Sequence, residues 1–235
     1  MSRHRELPAK LLRRSAIGPL APKARQDGTV RSAFLQQAQE FYRELEADNS
    51  REFWLANKPR YERDVRDPLR AVASLLAEEF GEPRLFRPNR DVRFSSDKAP
   101  YKTHQGAFVK VAPACGFYLE INSTEARAAG GFYDADPEAL ARFRKAVADD
   151  ETGPGLERLL ETMEADGWLS SGDTLKTAPR GYPRDHPRIG LLRYRTLSVE
   201  CEIVADGIEE FTAEVREAWR GVTPLVDWCA ARLRD

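Results

Sequence analysis

Two short apolar runs, Phe108-Val109-Lys110-Val111 and Phe117-Tyr118-Leu119-Glu120-Ile121, are separated only by Pro113, Ala114, Cys115 and Gly116 and their neighbours. Runs rich in valine, isoleucine and aromatic residues on either side of a short Gly/Pro-containing connection define an antiparallel hairpin. A connection this short cannot carry the helical crossover that a parallel pair needs, so the pairing must be antiparallel. A third strand is expected from Ala126 to Tyr133, which extends the hairpin to a meander. Gly130 and Gly131 weaken that strand and mark a bulge or a close approach of backbone or ligand.

Helical periodicity flanks this sheet on both sides. Phe34, Leu35, Ala38, Phe41, Tyr42 and Leu45 recur at helical spacing behind a plausible N-cap at Ser32, and Asn49-Ser50 break and recap the chain. Phe53, Trp54 and Tyr61 form an aromatic cluster that reads as core in preference to a stacking platform for a base. Asp67-Pro68 has the form of an N-cap followed by proline at the first helical position, with Leu69, Val72, Leu75, Leu76 and Phe80 inward and Gly81 as the stop. Asp136-Pro137 opens another helix by the same rule, and Leu156, Leu159, Leu160 and Met163 form the next. Residues 194–204 are expected as a further strand, and Ile208, Phe211, Val215 and Trp219 begin a long C-terminal helix that Pro224 kinks or restarts. The pattern predicts a single α+β domain over residues 32–235, with an antiparallel meander of about four to six strands and helices mainly on one face. Residues 1–31 are rich in arginine and lysine, poor in acids and without periodicity, so they are expected as a flexible basic tail.

The densest mixture of charge, rings and turn residues is RPNRDVRFSSDKAPYKTH, residues 87–104. Asp91-Val92-Arg93-Phe94-Ser95 alternates polar with apolar, so a half-buried strand would aim Asp91, Arg93 and Ser95 away from the core. A turn is expected at Ser95-Ser96-Asp97, and Pro100 stiffens the path to Tyr101, Lys102, Thr103 and His104. Arg87, Arg90, Arg93, Lys98 and Lys102 face only Asp91 and Asp97, a local positive excess in a chain of formal net charge −1.

The run RDVRFSSDKAPYKTH resembles the signature of a family known as domain of unknown function 2461. NSREFWLANKPRY at residues 49–61, GGFY at 130–133 and APRGYPRDHP at 178–187 fit the same family in the same order. Ala129 stands where that family commonly has a first glycine before Gly130-Gly131. The resemblance implies membership and brings no activity, substrate or catalytic residue with it.

Several function classes lose support from the sequence. Cys115, Cys201 and Cys229 are odd in number and lack C-x-x-C spacing, which points to a reducing, cytoplasmic setting. No apolar run approaches the ~20 residues that span a bilayer. His4, His104 and His186 are dispersed, and no metal motif or nucleotide loop is present, so no metal or other cofactor is expected. What remains is Arg93, Lys98, Tyr101, Lys102 and Thr103, with Arg180 from the distant loop, as an anion-facing cluster for phosphate or carboxylate. His104, His186 and Tyr101 are the candidates for proton transfer, while Asp91 and Asp97 orient the cations. A small anionic ligand is therefore the expected partner. Two readings compete: an ion-pair network that ties strand to turn without a ligand, and a nucleic-acid or protein-binding face, which the near-neutral chain disfavours.

Overall fold

A computed structural model describes residues 33–91, 98–205 and 207–234. The basic tail expected over residues 1–31, the cap at Ser32, the strand and turn expected around Arg93 and Asp97, and those two residues themselves lie outside the described residues.

The elements follow in the order α1 (Ala33–Ala47), α2 (Arg51–Tyr61), a π-helical turn (Glu62–Arg66), α3 (Asp67–Leu75), α4 (Ala77–Phe80), β1 (Pro83–Leu85), β2 (His104–Ala112), β3 (Cys115–Asn122), β4 (Ala126–Phe132), α5 (Pro137–Ala148), α6 (Gly153–Ala165), β5 (Leu169–Ser171), α7 (Ile189–Leu192), β6 (Leu197–Glu202) and α8 (Ile208–Leu233). The strands form one antiparallel sheet of order β1-β2-β3-β4-β6-β5. This is the α+β meander that the hairpin dictates, with β6 added beside β4 after the intervening helices.

Register assigns alternate rows of side chains to opposite faces. One row runs Ala107, Leu119, Ala128 and Cys201 across β2, β3, β4 and β6. With Val109, Ile121, Phe132 and Val199 it faces the core, where α1 packs on β3, α3 on β2 and α8 across β4 and β3. The next row runs Gly106, Glu120, Arg127 and Glu202, followed by Phe108, Tyr118, Ala129 and Glu200. Those side chains project from the other face, away from the helices.

Local chemistry sets the helix ends. The Ser50 hydroxyl accepts the Phe53 N–H at 3.1 Å, and the Asp136 carboxylate accepts the Ala139 N–H at 2.8 Å, as capping requires. Asp67 is not a cap. It lies inside an uninterrupted helical run from α2 to α3, and its N–H reaches back to the Glu62 carbonyl, the longer bond of a π turn. The widened turn gives Pro68, which has no N–H to donate, a place within the helix. Pro224 likewise neither ends nor restarts α8, which continues to Leu233.

Both glycines of β4 are places of close approach. A Cβ on Gly130 would stand 2.7 Å from Val222 and 2.8 Å from Val226 of α8. Gly131 has φ +143°, and a Cβ there would meet the Leu197 carbonyl oxygen at 2.2 Å. What comes near the first is the packed helix, and what comes near the second is the neighbouring strand.

Candidate functional site

The sheet face opposite α1, α3 and α8 carries ionisable groups on consecutive strands. Glu120 on β3 and Arg127 on β4 are register partners, and the Arg127 Nη2 donates to Glu120 Oε1 at 2.5 Å. Their side chains are 3% and 9% exposed, so this is a buried ion pair, not a surface one. The Tyr118 hydroxyl donates to the other carboxylate oxygen of Glu120 at 2.5 Å, which leaves both oxygens engaged. Arg127 Nη1 lies 3.6 Å from Glu125 and 4.0 Å from Glu200, so one guanidinium serves three carboxylates. Its Nε is buried and has no hydrogen-bond partner.

His104 begins β2 at the end of this face, with its Nε2 3.8 Å from Glu120 Oε2. That separation is too long for a hydrogen bond and short enough for charge coupling. Burial holds the imidazole below its ordinary 6.5; Glu120 pulls upward, while Lys102, Arg127 and Arg90 push down with the burial. Burial also raises the Glu200 carboxyl, against the pull of Arg127 and with help from Glu125 and Glu120. The Tyr118 hydroxyl is pushed far up, first by burial and then by Glu120, so it remains a donor.

These shifts fix the direction of the pH response. His104 in the unfolded chain gains a proton near 6.5 and in the folded chain only below that, so its contribution to stability is present above 6.5 and lost as pH falls through the folded value. Glu200 acts oppositely: the folded chain takes its proton first, and stability rises as pH falls toward 4.5. Replacing His104 by Asn is therefore expected to flatten the loss of stability between about pH 6.5 and 5, measured as the urea midpoint across that range. A slope unchanged by the replacement would show that His104 titrates as it does in the unfolded chain.

The residues singled out in the sequence are distributed as follows. Lys102 leads into β2 and places its ammonium 5.2 Å from the Phe86 ring centre, and Phe86 in turn lies 6.0 Å from the Tyr118 ring. Lys102 and Arg90 both act electrostatically on His104. Tyr101 is turned into the core, where its ring stacks on Trp54 at 4.3 Å and its backbone exchanges two 3.0 Å hydrogen bonds with the Asn49 side chain. Thr103 is half-buried, whereas Lys98 and Asp91 are exposed.

Arg180 is not brought to Lys102. It is exposed on the 178–187 loop, where Tyr182 interacts with Arg144 of α5, and α5 packs through Phe143 on Phe132, the last residue of β4. Lys102 precedes the opposite end of the sheet, where His104 pairs with Asn122. His186 shares the loop and uses Nδ1 to accept the Arg188 N–H at 3.0 Å. Trp54 and Tyr61 pack with Phe41 in the core.

Sequence reasoning missed Glu120, Arg127, Tyr118 and Glu200 as a group. The signal was available at Glu120, a charge inside an apolar strand and out of phase with Leu119 and Ile121. At Arg127 it was an arginine among small strand residues.

Fold and face together define an antiparallel α+β protein with a buried carboxylate–arginine centre on the sheet side opposite α1, α3 and α8. The chain belongs to the family described as "Conserved hypothetical protein (DUF2461)", whose family model matches residues 37–228. No curated protein and no solved structure matches it. Among the described residues no helix is long and apolar enough to cross a membrane, and no group of three or more His, Cys, Asp or Glu side chains is placed to hold a metal ion.

Proposed function

We propose that the His104 end of the polar sheet face binds a small molecule through a phosphate or carboxylate group, and that His104 exchanges a proton with it. The observation that carries this reading is the convergence of Lys102, Arg127 and Arg90 on one half-buried imidazole. Lys102 and Arg90 supply cations that can hold an anion beside His104, and an imidazole that burial and cations keep neutral at pH 7 can accept a proton from what binds there. Glu120 fits the role of orienting group. Its oxygens are engaged by Tyr118 and Arg127, so its charge stays fixed beside His104 and would favour the imidazolium once a proton arrives. Glu125 and Glu200 restrict the ligand, since a polyanion reaching Arg127 would meet both carboxylates.

The test is a thermal-shift screen with inorganic phosphate, simple carboxylates and mononucleotides, followed by titration of any hit on the Lys102→Met variant. A ligand at 100 times its Kd should add ~2.7 kcal/mol of stability to the native protein. The variant is expected to bind at least about tenfold more weakly, because it loses a cation at the mouth of the site. A screen without any shift, or a hit indifferent to Lys102→Met, would overturn the reading. The register pairing of Glu120 with Arg127 supports a second role for that pair, pinning β3 to β4, and the two roles are compatible.

A further inference from the structure

A recess lies at the end of the sheet away from His104. Residues Tyr133, Asp134, Arg144, Asp173, Arg195 and Thr196 line a cavity of about 760 Å³, large enough for a small metabolite. None of them belongs to the His104 cluster. Two of the segments that stood out in the sequence meet here: GGFY supplies Tyr133, and the 178–187 loop supplies Tyr182, which interacts with Arg144.

The charges around this cavity are left open. Arg144 spends its Nε on the Leu192 carbonyl at 3.0 Å, which leaves its terminal nitrogens for another partner. Among the described residues neither Arg144 nor Arg195 has a carboxylate within ion-pair distance, although Asp134 and Asp173 line the same recess. Asp136 is accounted for separately as the cap of α5. Burial holds Arg144 below its ordinary range; Tyr182 pulls upward, and the charge of Arg195 pushes down with the burial, so the two guanidiniums that line the recess repel each other. An anionic group between them would relieve that opposition. An inorganic dianion would also meet Asp134 and Asp173. A molecule that carries one carboxylate and one ammonium group satisfies both pairs.

We propose that this cavity is a binding site for a zwitterion of the α-amino-acid type, its carboxylate held by Arg144 and Arg195 and its ammonium group by Asp134 and Asp173. The test uses the full chain in isothermal titration calorimetry with individual free α-amino acids, alongside acetate, methylammonium and inorganic phosphate. At least one amino acid is expected to bind, and more tightly than any of the three part-probes. Arg195→Gln and Asp173→Asn should each weaken it about tenfold or more, and Lys102→Met should leave it unchanged, which separates this site from the His104 end. The Arg195 side chain is exposed, so its variant keeps the fold, and an unaltered Tm checks this. The proposal is overturned if no free amino acid binds, if Arg195→Gln binds as the native protein does, or if inorganic phosphate binds as tightly as the best amino acid.

Discussion

Replacing Arg127 by Ala is expected to destabilise the protein by about 3–5 kcal/mol, the cost of leaving a buried carboxylate without its partner. Glu120 is 2% exposed, and the substitution would leave it facing Glu200 and Glu125 across the space the guanidinium vacates. Tyr118 alone cannot neutralise it. The loss should appear as a lower urea midpoint with the slope unaltered. The double variant Glu120→Leu/Arg127→Met should recover most of it, because two apolar side chains in register can pack where one orphaned charge cannot. A fall of less than about 1 kcal/mol in the single variant would show that water reaches Glu120, and the pair would then behave as surface pairs do.

Gly131→Ala is expected to cost a similar amount for a different reason. The residue sits at φ +143°, outside the conformations a side chain tolerates, and a Cβ would lie 2.2 Å from the Leu197 carbonyl oxygen and 2.7 Å from the Ser198 Cα. Both obstacles are backbone of the adjacent strand, so no rotamer change relieves them, and β6 would have to move away from β4. Strain and displaced pairing together suggest about 3–5 kcal/mol. In a calorimetric scan of a chain this size that is a fall in Tm of the order of 10 °C. A Tm within a degree or two of native would mean that the strand yields freely at this point. Gly130→Ala presses instead on Val222 and Val226, whose side chains have some freedom, and should cost less.

What the sequence disclosed and what it hid follow from the range of the interactions concerned. The hairpin, β4, β6, the Ser50 and Asp136 caps and α8 were legible because each is fixed by neighbours along the chain: a period, a cap, a turn. Asp67-Pro68 misled because the helix start and the π-turn accommodation of proline share the same dipeptide, and only the Glu62 carbonyl five residues back decides between them. β1 and β5 were invisible, since Pro83–Leu85 and Leu169–Ser171 are too short to show alternation and exist by pairing with β2 and β6. Tyr101 was legible as a ring near a charged motif, but its stacking on Trp54 depends on a contact between distant segments. The buried centre escaped for the same reason. Glu120 and Arg127 become a pair only once register sets them opposite each other, and His104 joins them only because β2 lies beside β3.

The short outer strands matter for how this protein meets other copies of itself at high concentration. An open sheet invites another chain to continue its ladder, and that invitation grows with the length of regular edge on offer. Here β1 begins with a proline and β5 ends in two serines; each spans three residues. Beyond β1, the stretch of β2 left uncovered displays the exposed charge of Lys110, and beyond β5 the uncovered end of β6 displays Glu202. A strand approaching either side in solution finds too little ladder to grip and a charge it would have to desolvate. The six-stranded sheet therefore ends, at both margins, in a form that resists edge-to-edge aggregation while the fold is intact.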